Sequence, residues 1–325
     1  MMIIVTGGAG FIGNATIWKL NQQGISDIII ADELGCHEKW RNLLDRQFID
    51  FIHKSVFLNW LRQSQSPIEA VIHLGACSTT TEKDADFLME NNTQFTLEVF
   101  RYCSTKGIPL IYASSAATYG NATTFSDDHT LIPHLRPNNK YGFSKHLTDC
   151  WTLRQGYHTP PRWYGLKFFN VFGPGEWHKG SQTSVAFQAF HQIQASGTVK
   201  LFKSHRQDYD HGEQQRDFIY IKDVVDIIYH FLNLAQKGQN GIYNVGTGIQ
   251  RSFKDLALAS FAALEQAPKI DYIDMPEKIR KNYQYFTKSD ITKLRRSGYK
   301  NEFYSLECGI SDYLKNYLQN NRETL

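Results

Sequence analysis

The 325-residue chain holds only five cysteines, Cys36, Cys77, Cys103, Cys150 and Cys308. No two of them form a Cys-x-x-Cys pair, and none of the twelve histidines stands at ligand spacing from a partner. That pattern speaks against a zinc site or a disulfide framework and suits a reducing cytoplasm. No apolar run approaches the roughly 18 residues that a membrane span needs. Charge of one sign is scarce too: the net charge is +3 and basic residues form no long tract, so a nucleic-acid footprint is missing. Met1-Met2 leads directly into Ile3-Ile4-Val5 without a basic leader region, and the expected location is the cytoplasm. Repeats and low-complexity segments are absent. With 42% hydrophobic and 21% charged residues, the chain reads as an ordinary globular protein.

What is present is alternation. Short apolar runs at Met2–Thr6, Asp27–Asp32, Ala70–Leu74, Leu110–Ser114, Gly165–Phe169, Phe218–Ile221 and Ile242–Val245 read as strands. Helical patterns at Ile12–Gln22, Asp86–Thr105, Tyr141–Gln155 and Asp223–Ala235 fall between several of them. This rhythm predicts an α/β fold, a doubly wound parallel sheet with helices on both faces. After Asn170 the rhythm loosens: Gly173-Pro174-Gly175 breaks the chain, Thr183–Ala195 reads as a helix and Ser204–Gln215 as a polar loop. The chain is expected to return to the sheet over Phe218–Val245. The implied organisation is a larger domain from 1–172 and 216–248, with a smaller discontinuous α/β domain from 173–215 and 249–325.

Between the first strand and first helix stands Thr6-Gly7-Gly8-Ala9-Gly10-Phe11-Ile12-Gly13. Glycines 8, 10 and 13 fit Gly-x-Gly-x-x-Gly, and 7, 10 and 13 give Gly-x-x-Gly-x-x-Gly. Such glycines permit a tight turn, close approach to a pyrophosphate and tight helix–strand packing. The N–H groups of the helix start then face the phosphates. This is the Rossmann pattern, and Asp32 ends the next strand about 20 residues on, where a carboxylate binds the ribose hydroxyls of NAD. Lys39, seven residues later, offers a cation for the 2′-phosphate of NADP, so the two cofactors stay open at this stage.

Tyr141 and Lys145 lie four apart on a helical pattern and share a face. An unperturbed tyrosine is a poor base at neutral pH. A neighbouring ammonium favours the phenolate, so Tyr-x-x-x-Lys is expected to make an acid–base group beside a nicotinamide. Ser115, at the end of a strand, can hold the same substrate oxygen. Other conspicuous residues read as structural. His73 is expected to be packed or bonded to backbone, Trp151, Trp163-Tyr164 and Phe168-Phe169 to be core, and Asp208–Glu213 to be a solvated loop with no metal.

On these residues the chain resembles the extended short-chain dehydrogenase/reductase superfamily, and within it the NAD(P)-dependent nucleotide-sugar epimerases that act on heptose. The stretches that carry the resemblance are His73-Leu74-Gly75-Ala76-Cys77-Ser78, Tyr112 to Gly120, Tyr141-Gly142-Phe143-Ser144-Lys145, Phe168 to Pro174, and His178-Lys179-Gly180-Ser181. It runs from the glycine loop to about Tyr317. The resemblance implies Tyr141 and Lys179 as two acid–base groups, with Lys145 and Ser115 supporting Tyr141. Beside Gly7, Gly10 and Gly13, it implies a cofactor site from Phe11, Ile12, Asp32, Glu33, Lys39, Lys54, Leu74, Gly75, Ala76, Cys77, Ser78, Asn91, Lys145, Val171 and Lys179. Asn170, Ser181, Gln188, Phe202, Lys203, Ser204, His205, Arg216 and Tyr283 match substrate positions. Three residues depart from the pattern. Glu33 replaces an asparagine and adds negative charge near any 2′-phosphate, Leu74 replaces a glutamate and Gln188 a histidine.

The implied activity is inversion of C6 in ADP-D-glycero-β-D-manno-heptose for the lipopolysaccharide inner core. It would proceed by transient oxidation with one tightly bound NADP per subunit, and the implied assembly is a homopentamer. Two acid–base groups are needed because the C6 hydroxyl points differently in each epimer. A lysine suits that role only if its pKa is lowered by desolvation or nearby positive charge. A 4-epimerase or 4,6-dehydratase shares the glycine loop and the Tyr–Lys pair. A dehydratase, however, typically adds an acidic pair beside the serine, where this chain has Ala116-Ala117. A non-catalytic NAD(P) sensor is the remaining alternative, against which Ser115, Tyr141 and Lys145 together argue.

Overall fold

The computed structural model describes residues 2–36, 38–234, 239–280 and 283–325. Its strands in chain order are Met2–Thr6 (β1), Ile28–Asp32 (β2), Asp50–His53 (β3), Ile68–His73 (β4), Leu110–Ser115 (β5) and Trp163–Phe168 (β6). Asn170–Phe172 (β7), Val199–Phe202 (β8), Gln215–Tyr220 (β9), Gly241–Val245 (β10), Gln250–Ser252 (β11) and Ile270–Ile273 (β12) follow. Among the described residues seven strands form one sheet in the order β10-β6-β5-β4-β1-β2-β3, every pair parallel. The order reverses direction between β1 and β4. Ligands of such sheets bind outside the strand C-termini at that reversal.

Each strand alternates between two cores, as the period of two requires. Ile3, Val5, Ile28 and Ile30 face one core with Phe11, Ala15, Val224 and Ile228 from the helices Phe11–Gln22 and Ile221–Asn233. Ile4, Ile29, Ala31 and Val71 face the other, against Phe57, Leu61, Val99 and Phe100. Both faces are covered, which explains the continuously apolar strands. The aromatics Trp163, Tyr164, Phe168 and Phe169 are all buried, and Trp151 packs edge-on against Phe100.

Two differences from the sequence expectation stand out. Residues 215–220 do not rejoin the main sheet; β9 pairs instead with β7 and β11 in a three-stranded sheet. Its apolar run is satisfied there because Phe218, Ile219 and Tyr220 pack into the first core from outside the sheet. The helix after β4 begins at Ala85 and carries a π-helical stretch at Met89–Gln94 before continuing to Lys106. The expected helix end at Ala235 lies outside the described residues; the helix is seen as Ile221–Asn233. A smaller layer completes the molecule: the parallel pair β8–β12 packs on the helices Val185–Ser196 and Phe253–Ala263 through Ile193, Val199, Leu201, Ala257 and Phe261.

Candidate active site

The glycine loop leaves β1 at the point where the sheet order reverses. Gly7 has φ +68° and its α-carbon faces the loop after β4, so a Cβ there would lie 2.6 Å from the Gly75 amide nitrogen. A Cβ on Gly13 would collide with the Gly7 carbonyl oxygen. The 7-10-13 spacing is thus the one that shapes the loop. Gly8 serves packing, since a Cβ there would meet Ile30 at 2.7 Å. Gly10 is the helix N-cap and supplies no side-chain hydrogen bond, which leaves the first-turn N–H groups directed at an incoming anion. Such a cradle fits a pyrophosphate.

Asp32 lies at the C-terminal end of β2 with both carboxylate oxygens engaged. Oδ2 accepts from the Ala9 N–H at 2.9 Å, and Oδ1 accepts from the Glu33 N–H and the Lys39 ammonium, each at 2.8 Å. The 3₁₀ turn Glu38–Leu43 brings Lys39 back to this spot. Beside it Lys54 pairs with Glu33 at 2.9 Å and donates to Asn91 Oδ1 at 3.3 Å. Two carboxylates and two ammoniums therefore meet where a ribose would lie.

The loop 74–78 runs alongside. The Leu74 N–H donates to the Thr6 carbonyl and the Gly75 N–H to Thr6 Oγ1. Fully buried Asn92 holds Cys77 in both directions, accepting its N–H at 2.8 Å and donating to its carbonyl at 3.0 Å. His73 stacks on Phe95 and bonds to side chains rather than to backbone: Nδ1 lies 2.6 Å from Thr6 Oγ1, and Nε2 lies 2.9 Å from Thr96 Oγ1. The Thr96 hydroxyl is already donating to the Asn92 carbonyl, so Nε2 carries the ring proton and Nδ1 accepts. Burial, with help from Lys145, pushes the His73 pKa down to about 3. The unfolded chain protonates near pH 6.5 and the native imidazole does not until about 3, so stability is unaffected above 6.5 and falls as pH drops through that window. The slope from His73 alone is about 1.4 kcal/mol per pH unit. Urea unfolding at pH 7.5 and at pH 5 should therefore differ by about 2 kcal/mol from this group. His73→Gln should flatten that difference, and an unchanged pH dependence in the variant would refute the assignment.

Ser115 ends β5 and caps the short turn that follows, its Oγ accepting the Ala117 N–H. Across from it, Asn139 caps the helix Lys140–Leu153 through the Gly142 N–H at 2.7 Å, and this places Tyr141 and Lys145 on the buried side. The Tyr141 hydroxyl faces the Ser115 side chain, so the structure brings Ser115 and Tyr141 together. Lys145 Nζ donates to the Ala113 carbonyl at 3.0 Å. The electrostatics correct one expectation. Burial pushes the Tyr141 pKa up, against a smaller downward pull from Ser115, and Lys145 is not among the groups that move it. Lys145 is itself pushed down to about 8 by burial, with Asp149 opposing. In this form Tyr141 is an acid.

Lys179 rides on the turn Trp177–Gln182, its ammonium 5.4 Å from the centre of the Phe11 ring at the glycine loop. Burial lowers its pKa, and Glu176 opposes, which is the shift that an acid–base lysine requires. The turn is anchored by residues that the sequence did not single out. Asn42 accepts from Trp177 Nε1 at 2.8 Å, donates to the Ala9 carbonyl at 2.9 Å and contacts His178 Nδ1 at 3.1 Å. Glu176 is fully buried, accepting from the Gly173 N–H and from the N–H and hydroxyl of Ser184. Ser181 lies on the same turn and Val171 on β7.

A second cluster gathers most of the remaining expected positions. Arg216 is buried, its guanidinium donating to the carbonyls of Gln215 and Gln284. It stacks on Tyr283 at 5.1 Å and on Phe253 at 5.5 Å. Tyr283 in turn meets Phe202 edge-on, and the His205 N–H donates to Tyr285 Oη at 2.9 Å. Among the described residues no carboxylate is ion-paired with Arg216, so its donors suit an anion held beside an aromatic wall. Ser204 bonds within its own loop, Lys203 pairs with Asp274 at 3.4 Å, and Gln188 donates to the Thr183 carbonyl. Asn170 is exposed at the start of β7. Asp208 and Glu213 pair with Arg206 and Lys254, and no group of three metal-ligating side chains occurs among the described residues.

Residues 3–246 match the profile of the NAD dependent epimerase/dehydratase family. The chain is 49% identical to an ADP-L-glycero-D-manno-heptose-6-epimerase of Fusobacterium nucleatum, over 98% of both chains. It is 47% identical to the protein of that name from Nitratidesulfovibrio vulgaris, again over 98% of both. Among solved structures, the ADP-L-glycero-D-manno-heptose-6-epimerase of Helicobacter pylori superposes with a TM-score of 0.80 at 29% identity, covering 97% of this chain and 95% of that one.

Proposed function

The chain belongs to the NAD dependent epimerase/dehydratase family, and from that premise we propose that it interconverts the C6 epimers of ADP-D-glycero-β-D-manno-heptose and ADP-L-glycero-β-D-manno-heptose. The observation that carries the reading is Lys179, a desolvated ammonium set over Phe11 of the glycine loop and separate from the Tyr141–Ser115 pair. A simple dehydrogenase needs one proton-transfer group at the reacting carbon, whereas inversion needs two. The full-length similarity to heptose epimerases supports the same substrate.

A bound nicotinamide supplies the hydride acceptor and donor at C6. The glycine loop and the uncapped helix start bind its pyrophosphate, and Asp32 orients the adenosine ribose. Tyr141, held by Ser115, moves the C6 hydroxyl proton of one epimer, and Lys179 moves that of the other. Arg216 with Tyr283 and Phe202 holds the ADP end, and its charge offsets the pyrophosphate. The chain acts as a cytoplasmic homopentamer in lipopolysaccharide inner-core heptose synthesis. Purified protein is expected to convert either epimer without added cofactor and without solvent deuterium at C6. Deuterium at C6 of the product would rule out direct hydride return.

The resident cofactor is NADP in this reading, with Lys39 and Lys54 as the cations for the 2′-phosphate. Removing Lys39 leaves Asp32 and Glu33 facing that phosphate. Lys39→Ala should weaken NADP binding about tenfold to a hundredfold, the scale of a lost charge-assisted contact, and leave NAD binding within a few-fold. Fluorescence titration with each cofactor reads both values, and equal loss for the two would refute the assignment.

A further inference from the structure

We propose that the buried Asp149–Lys167 ion pair positions the Tyr141–Lys145 pair, locking their helix in register with the strand end that carries Ser115 and setting a compensating negative charge beside Lys145. The proposal rests on the reading that Tyr141 and Lys145 serve the chemistry.

Tyr141, Lys145 and Asp149 recur every fourth residue along the helix Lys140–Leu153 and so form one stripe. The stripe meets three consecutive residues at the end of β5. Tyr141 faces Ser115, Lys145 Nζ donates to the Ala113 carbonyl at 3.0 Å, and Ser114 Oγ donates to Asp149 Oδ2 at 2.7 Å. A slip of either element by one residue would break all three contacts.

Lys167 completes the lock from the next strand. It lies beside Ser114 in the β5–β6 register, and its ammonium is 2.5 Å from Asp149 Oδ2. It also donates to Thr118 Oγ1 at 2.6 Å, and the Thr118 hydroxyl donates to the Ser115 carbonyl at 2.8 Å. A chain of hydrogen bonds therefore runs from Asp149 through Lys167 and Thr118 to Ser115. Both charged side chains are wholly buried, 0% exposed. Burying such a pair rarely stabilises a fold more than apolar residues would, so its place behind the site points to geometry and charge.

The titratable groups that face Lys145 come from three places: Asp149 on its own helix, His73 at the end of β4 and Cys77 in the loop beyond it. Facing Asp149 are Lys167 from β6, Tyr112 from β5, Tyr119 and His129 from the segment after β5, and Tyr141, Lys145, His146 and Cys150 from its own helix. Asp149 foremost opposes the effect of burial on Lys145. Without that carboxylate the effect of burial on Lys145 would lose its main opponent, and Lys145 would shed its proton at lower pH.

The test compares wild type, Asp149→Asn, Lys167→Arg and the double variant Asp149→Asn/Lys167→Met. Carbon-13 NMR of the lysine ε-carbons, with Lys145 identified by its loss in Lys145→Arg, follows its titration without substrate. Steady-state turnover on ADP-heptose follows kcat and KM. Asp149→Asn should lower the Lys145 midpoint by about one pH unit or more and kcat about tenfold to a hundredfold, with KM nearly constant. The double variant should keep a lowered midpoint, because it too lacks the carboxylate beside Lys145, and Lys167→Arg should match wild type. A wild-type midpoint in Asp149→Asn or in the double variant would overturn the proposal. If Asp149→Asn does not fold, the double variant and Lys167→Arg decide alone: a wild-type midpoint in the double variant, or altered turnover in Lys167→Arg, counts against it. Wild-type protein that inverts no ADP-heptose would remove the assigned function, while the titration would still judge the ion pair.

Discussion

Tyr141→Phe is expected to lower kcat about a hundred- to ten-thousandfold, the span associated with one general acid–base group. The substitution removes a single oxygen from a side chain that is 9% exposed, and the ring keeps its packing. Fold and cofactor content should therefore survive, as checked by thermal unfolding and mass spectrometry of the denatured protein. Burial raises the Tyr141 pKa and holds the hydroxyl protonated, so it enters the cycle as an acid. That makes the loss fall on kcat rather than KM, since the hydroxyl matters most where charge develops. Retention of more than about a tenth of wild-type kcat would remove Tyr141 from the mechanism.

Much of the main sheet was legible because its signals are local. A strand buried on both faces shows as an apolar run, and the glycine loop sits between strand and helix where its sterics demand. Asp32 and Lys39 were legible for the same reason, being seven residues apart in chain and 2.8 Å apart in space. Edge strand β3 was not. It is four residues long with Asp50 and His53 exposed at its ends, and it lacks a run to detect. Strand β9 misled because an apolar run reports burial and not the sheet that provides it.

The site's supports were the least legible part, since most are uncharged residues acting across long sequence separations. Asn42 joins Ala9 to Trp177, and Asn92 joins Cys77 to Ser144. An asparagine at any one of these positions looks like a loop or helix residue until the fold closes. Two buried charges gave a fainter hint. Lys167 lies within a strand whose six residues are all buried, and an ammonium there needs a carboxylate partner. That partner, Asp149, sits one helical turn past Lys145. The acid–base shifts needed the structure as well: proximity of an ammonium was expected to lower Tyr141, but burial is the larger effect.

Lys179→Met carries the sharpest consequence. Methionine keeps an unbranched apolar stem to lie over Phe11 and deletes the ammonium, so packing against the glycine loop should change little. If Lys179 serves one epimer and Tyr141 the other, turnover should fall about a hundredfold or more, because a full inversion needs both. One half-reaction should persist, seen as the near-ultraviolet absorbance of reduced cofactor building up with one epimer and not with the other. Lys179→Arg separates this role from simple anion binding. A guanidinium still pairs with phosphate but does not give up a proton at accessible pH. Arginine should therefore be as inactive as methionine if the lysine transfers a proton. It should restore turnover if the lysine only neutralises charge, and that result, or full activity in Lys179→Met, would end the two-base scheme and leave Tyr141 to serve both faces.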